Sequence, residues 1–276
     1  MNYLQLPVFN PNALSVGFLQ IRWYSLAYIV PLLLSWFVLK FFNEKYNLNL
    51  YKDASVFSDD YLFYAVLGIL VGGRLGYVML YNPNYYIQNP MEIVEIWKGG
   101  MSFHGGFIGS VLALYLICKK HNSDFSTIAD ICTISASIAI FCGRIANFIN
   151  LELYGRVTQV RWAMIFPFTD GQPRHPSQLY EAFAEGIIIF LVMIYVAMRT
   201  KLKVKCLNSA LFLTLYGVFR IIIECFREPD MEIGFLANHF TLGQILSLPI
   251  LCFGCFLLYK TIKNNTSGKL KRLKKH

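Results

Sequence analysis

The stretch STIADICTISASIAIFCGRIANFI, residues 126–149, carries only two charges, Asp130 and Arg144, in a run long enough to cross a bilayer. A helix rises about 1.5 Å per residue, so some 20 apolar residues span the roughly 30 Å hydrocarbon layer. Six further stretches have the same character: residues 23–42, 61–80, 100–118, 180–198, 207–226 and 241–259. Pro31 and Pro249 fall inside two of them, which is tolerable where neighbouring helices satisfy the freed carbonyls. The expected fold is an all-α integral membrane protein with seven transmembrane helices.

Composition agrees. Of 276 residues, 56% are hydrophobic and only 15% charged, and the mean hydropathy is +0.47. Soluble domains carry about 25% charged residues, so disorder and an ordinary water-soluble enzyme are both excluded. The net charge of +9 fits nucleic acid or an anionic membrane surface, and the position of the charges decides between them. Sixteen of the 25 Lys and Arg fall on one side of the spans and six on the other, with Arg74, Arg144 and Arg220 inside. That asymmetry places the N-terminus outside and the basic tail, residues 260–276, in the cytoplasm. No nucleic-acid partner is needed to explain the tail. The absence of a basic residue before Arg22 sets the first span apart from a cleaved signal peptide. The expected organisation is one membrane domain, with residues 1–22 as an interfacial arm and residues 150–179 as an extracytoplasmic insertion between the fourth and fifth spans. The seven cysteines lie almost entirely in apolar runs and read as packing residues, so neither a metal site nor a cofactor is expected.

An ionisable side chain inside a span is costly and marks function by default. With the orientation above, Arg74, Arg144, Arg220 and His104 all lie roughly 6–9 Å below the outer edge of their spans. Glu224 follows Arg220 by four positions and Asn147 follows Arg144 by three, so each pair shares a helix face. Tyr24 sits at a similar level. A layer of guanidinium groups under the outer headgroups suits a phosphate, because arginine presents a planar fork to phosphate oxygens. The competing explanations are a self-satisfied Arg220–Glu224 pair and an Arg74 that reaches the interface. Gly105 and Gly106 open the third span beside His104; glycines there either free backbone N–H groups for an anion or allow close helix packing. His104, with an ordinary pKa near 6.5, is the candidate general base.

Residues Gly143 to Gly155, with His104-Gly105-Gly106-Phe107-Ile108-Gly109, Arg174 to Glu181, Trp23-Tyr24 and Tyr216 to Arg220, together resemble the bacterial prolipoprotein diacylglyceryl transferases over nearly the whole chain. The resemblance implies transfer of the diacylglyceryl group of phosphatidylglycerol to the lipobox cysteine thiol of a prolipoprotein, giving a thioether and glycerol phosphate, in the bacterial inner membrane. It implies His104, Arg144 and Arg220 as catalytic residues. Around the substrate it implies Arg144, Tyr24, Asn147, Glu152, Gly155, Tyr216, Gly105, Gly106, His175 and Glu224. No metal or cofactor is implied; the partners are phosphatidylglycerol, the prolipoprotein signal peptide and membrane lipid. Ala146 and Leu151 stand where relatives often have glycine, and the segment between Arg156 and Arg174 is short. An anion or lipid transporter is the alternative. It would place polar residues through the full depth, whereas Asp130 is the main ionisable residue near the inner ends.

Overall fold

The computed structural model describes residues 3–16, 19–80, 83–229, 235–236 and 240–273. It is mostly helical. Helices α1 (Trp23–Tyr46), α2 (Ala54–Leu80), α3 (Pro83–Gln88), α4 (Phe103–Lys120) and α5 (Phe125–Ile149) are followed by α6 (Ser177–Glu181), which runs through a π-helical stretch (Ala182–Ile188) into α7 (Ile189–Thr200). The last two are α8 (Leu207–Ile223) and α9 (Leu242–Leu273). All seven apolar stretches are therefore helical. Among the described residues five helices are long and apolar enough to cross a membrane: Trp23–Tyr46, Val56–Leu80, Phe125–Ile149, Ser177–Thr200 and Leu242–Ser267. Pro31 and Pro249 lie inside α1 and α9 without ending them.

The chain divides into two compact units, Leu39–Ala129 and the remainder, Met1–Val38 with Asp130–His276. Within the first unit α2 and α4 pack with almost no space between backbones. A Cβ on Gly72 would come 2.4 Å from the Gly105 carbonyl oxygen, and one on Gly109 would come 2.1 Å from that of Gly68. Only glycine permits this approach.

Within the second unit Ile131 and Ile134 of α5, Ile189, Met193 and Ala197 of α7 and Ala210 of α8 are fully buried. Large apolar side chains elsewhere face outward, with Phe253 and Phe256 of α9 at 56% and 59% exposure. An apolar outer surface of this kind is expected where lipid is the solvent. Cys225, Cys252 and Cys255 are also exposed, so packing accounts for Cys118, which is buried, but not for these three.

Short strands, absent from the sequence expectation, shape the segments outside the spans. In the N-terminal arm, β2 (Asn12–Val16) pairs antiparallel with β3 (Leu19–Arg22), and β1 (Leu4–Gln5) pairs parallel with β4 (Met164–Ile165), itself antiparallel to β5 (Pro173–Arg174). Near the start of α9, β6 (Phe235–Leu236) pairs with β7 (Phe240–Thr241). The Trp23 indole N–H donates to the Asn10 carbonyl at 3.1 Å, and the Phe9 ring meets Phe148 at 6.3 Å. The arm and the segment between α5 and α6 thus form one structured layer over the end of α5.

Candidate active site

Arg144 on α5 and Arg220 on α8 meet at one carboxylate. Glu181, the last residue of α6, is fully buried; Arg144 Nε lies 2.9 Å from its Oε2, and Arg220 Nη1 donates to its Oε1. A third guanidinium joins them, with Arg227 Nη1 3.2 Å from Oε1. Arg220 also pairs with Glu224 at 2.8 Å, the i,i+4 contact its spacing suggests. Glu224 Oε1 in turn accepts from the Thr241 hydroxyl at 3.0 Å. Gly243 is needed beside it, since a Cβ there would lie 2.5 Å from that oxygen. Glu185 is also fully buried, 3.9 Å from Arg144 Nη2.

Three arginines and three glutamates balance formally, which lowers the cost of burying them. Arg144 is the least enclosed of the three arginines, its side chain 18% exposed. Among the described residues its Nη1 has no partner, whereas both terminal nitrogens of Arg220 are engaged. Tyr216, one turn before Arg220, is buried and stacks on Phe212 at 6.1 Å.

One turn along α5 from Arg144 a second cluster forms. The Tyr24 hydroxyl donates to Glu152 Oε1, and Asn147 Nδ2 donates to the same hydroxyl. The loop carrying Glu152 is stitched to α6, because Gln178 Nε2 donates to the Glu152 carbonyl at 2.6 Å and the Ser177 hydroxyl to that of Leu153 at 3.1 Å. Leu151 and Leu153 hold left-handed backbone, φ 59° and 57°, which explains why glycine suits position 151. Gly155 has no space for a side chain: a Cβ would lie 2.5 Å from the His175 carbonyl oxygen. Its N–H donates to that oxygen at 2.8 Å.

His175 packs edge-on against Phe226 at 5.2 Å, and its Nδ1 lies 3.1 Å from the Tyr180 hydroxyl, which also accepts from the Trp162 indole. Partial burial of the ring holds its pKa below the usual histidine value.

The remaining candidates belong to the other unit. Arg74 donates to the carbonyls of Ile93 (2.9 Å), Gly99 (2.5 Å), Gly100 (3.2 Å) and Glu92 (2.5 Å), with its guanidinium 5.2 Å from the Tyr86 ring. It clamps the segment between α3 and α4. Gly105 N–H donates to the Ser102 hydroxyl, which caps α4, and Gly106 N–H to the Ser102 carbonyl. His104 stands in the first turn of α4, and its side chain lies outside the described residues.

Sequence reading placed these residues around one site; the structure gathers Arg144, Arg220 and Glu224 about Glu181 and joins Tyr24, Asn147 and Glu152 in a cluster of their own. Glu181 closes the Arg174 to Glu181 motif without standing out in it, and Arg227 lies just beyond the apolar stretch 207–226. A turn after α8 folds Arg227 back, leaving it 7% exposed.

Apolar helices long enough to cross a bilayer, packed around a buried arginine–glutamate cluster, define a multi-pass membrane protein. The family model described as prolipoprotein diacylglyceryl transferase matches residues 11–260, and the chain belongs to that family. It is 49% identical over 256 residues to the phosphatidylglycerol--prolipoprotein diacylglyceryl transferase of Rickettsia rickettsii (strain Sheila Smith), covering 92% of this chain and 98% of that protein. The enzyme of the same name from Rickettsia typhi (strain ATCC VR-144 / Wilmington) is 50% identical over 254 residues, 92% and 97% of the two chains. That from Rickettsia bellii (strain OSU 85-389) is 49% identical over 259 residues, 94% and 97%.

Proposed function

We propose that this chain transfers the diacylglyceryl group of phosphatidylglycerol to the lipobox cysteine thiol of a prolipoprotein, with the site open to the extracytoplasmic leaflet of the bacterial inner membrane. The observation that carries the reading is Arg144, held through Nε on Glu181, whose Nη1 has no partner among the described residues and can donate to a phosphate oxygen. The topology that goes with it has seven passes, with α4 and α8 joining the five longer helices, the N-terminus outside and the basic tail in the cytoplasm. The sixteen-to-six split of Lys and Arg supports that orientation.

The substrate thiol loses its proton to a base, for which His104 is the candidate, and the sulfur attacks the carbon of the diacylglyceryl group that carries the phosphate. A C–S bond forms, the C–O bond breaks, and glycerol phosphate leaves with the electron pair. Negative charge grows on the departing phosphate, where preorganised guanidinium groups in a water-poor site stabilise it most. Glu181, shared by Arg144, Arg220 and Arg227, sets their directions before lipid arrives. Tyr24, Asn147 and Glu152 form the neighbouring polar wall. Asp130 serves structure instead: its Oδ1 accepts from the Ser209 N–H at 2.8 Å and hydroxyl at 2.6 Å, anchoring the start of α8.

Purified protein supplied with phosphatidylglycerol and a lipobox peptide tests the proposal. Thioether product is expected; lipid or anion flux without product would favour a transporter and refute it.

A further inference from the structure

The three glutamates of the arginine cluster are not held alike. Glu181 meets Arg144 at 2.9 Å and Arg227 at 3.2 Å, and Glu224 meets Arg220 at 2.8 Å and the Thr241 hydroxyl at 3.0 Å. Glu185 is fully buried as well, yet among the described residues neither of its carboxylate oxygens accepts a hydrogen bond. Its ion pair there is a long one, Arg144 Nη2 lying 3.9 Å from Oε2. Packing fixes this placement. Glu185 lies in the π-helical stretch, and the next residue, Gly186, abuts α5 so closely that a Cβ would fall 2.7 Å from that of Phe141. Phe141 precedes Arg144 by about one helical turn, so the contact sets Glu185 beside the Arg144 guanidinium. π-helical turns inside α-helices are frequent at functional sites.

The charged and titratable groups around Glu185 are Arg144 on α5, Glu181 at the end of α6, Tyr216 and Arg220 on α8, and Arg227 after it. With Glu224 included, the three arginines and three glutamates sum to zero charge. The half-buried charges flanking them, Arg156 on the Arg227 and Glu224 carbonyls and Glu152 beside Tyr24, also cancel. A lipid phosphate therefore brings one negative charge more than the group can balance. A buried carboxylate without hydrogen bonds is the most costly charge to keep in such a site, and a proton removes it.

We propose that Glu185 takes up a proton as the lipid phosphate docks on Arg144 and gives that proton to the departing glycerol phosphate, as the general acid of the transfer. The docked phosphate at Nη1 and the carboxyl near Nη2 stand at neighbouring nitrogens of one guanidinium. As sulfur bonds to the diacylglyceryl carbon and the C–O bond breaks, the electron pair passes to the phosphate oxygen, which takes the Glu185 proton. The thiol proton, held by the base, goes to solvent. Once product leaves, Glu185 is again a carboxylate facing Arg144, and the next lipid draws a proton from solvent. This deepens the transferase reading and rests on it.

Phosphatidylglycerol with short acyl chains, added without peptide to the full chain in detergent, separates binding from transfer. Calorimetry in buffers of different ionisation enthalpy is expected to register net proton uptake on lipid binding at mildly alkaline pH. An infrared carboxylic-acid band from isotope-labelled glutamate is expected to rise with the lipid. Glu185→Gln imitates the protonated form: it keeps lipid affinity and loses the proton uptake, and its kcat falls roughly a hundredfold or more because the amide has no acid proton to give. Glu185→Asp recovers part of kcat. Absence of both proton uptake and the glutamic-acid band in the wild-type chain, uptake that persists in Glu185→Gln, or an unchanged kcat in that variant would each overturn the proposal. The two wild-type readings decide the matter even if the variant does not fold. A wild-type chain that makes no thioether would instead defeat the transferase reading, which stands if Glu185→Gln alone behaves normally.

Discussion

Arg74 and Arg144 read alike in the sequence, each a lone arginine a few residues from the outer end of an apolar run, yet the structure uses them differently. Arg74 is 4% exposed and its guanidinium is saturated by four backbone carbonyls. Arg144 keeps 18% of its side chain exposed and leans on a carboxylate shared with two other arginines. Carbonyls fixed in a loop cannot leave, so an arginine bound to them is an anchor. Arg144, with a carboxylate on one side and a terminal nitrogen that has no partner among the described residues, is the one proposed to take up a phosphate. Depth alone therefore does not separate the two arginines; their partners do.

That contrast is most exposed at Arg144 itself. Arg144→Ala and Arg220→Ala should each remove about 3 to 4 kcal/mol of transition-state stabilisation, a loss of transfer of roughly a hundredfold to a thousandfold, with folded protein recovered normally. A turnover assay checks this, and normal rates in either variant would erase the distinction. Glu181→Gln comes next. With the shared counter-ion gone, three guanidinium groups lose their orientation, and turnover per folded molecule should drop at least about tenfold. Because Glu181 acts through the arginines, the apparent affinity for phosphatidylglycerol should change together with kcat, and Glu181→Asp should recover part of both. An effect on thermal stability alone would reduce Glu181 to a structural residue.

Arg74→Ala sharpens the other side. It strands four carbonyls, so unfolding should be easier by about 3 kcal/mol while turnover per folded molecule is unchanged, a pair of results readable from thermal denaturation and a normalised assay. Loss of turnover without loss of stability would mean that the two arginines are not different in kind. The smallest effect belongs to His175. Burial lowers its pKa, so folding favours the neutral ring. Its contribution is complete above the ordinary histidine range and is lost as pH falls through the lowered value. A stability profile of His175→Gln should lack that acid limb, and an unchanged limb would remove His175 as its source.

Apolar length made the helices legible: α1, α2, α4, α5, α8 and α9 each cover a stretch of about 20 apolar residues visible in the chain. Helical spacing likewise gave the Arg220–Glu224 pair and the shared face of Arg144 and Asn147. Glu181 escaped because it stands where α6 passes into the π-helical stretch Ala182–Ile188, and faces assigned with a 3.6-residue period drift through such a stretch. Arg227 escaped because its burial depends on a turn that folds it back across α8, a contact no local pattern encodes. The strands β1, β4 and β5 are two residues each, too short for alternation to show. Gly105 illustrates a real ambiguity in sequence: the contact with Gly72 demands glycine whether or not an anion is ever bound there.

The central claim is that Arg144 and Arg220 gather around one lipid phosphate. A phosphatidylglycerol carrying a photoreactive group next to its phosphate, crosslinked to the full chain in membranes and mapped by mass spectrometry, tests it most directly. Labels are predicted on α5 and α8 around these two arginines, lost when Arg144 is replaced by alanine. Labelling confined to other helices, in protein that still makes thioether product, would contradict the account.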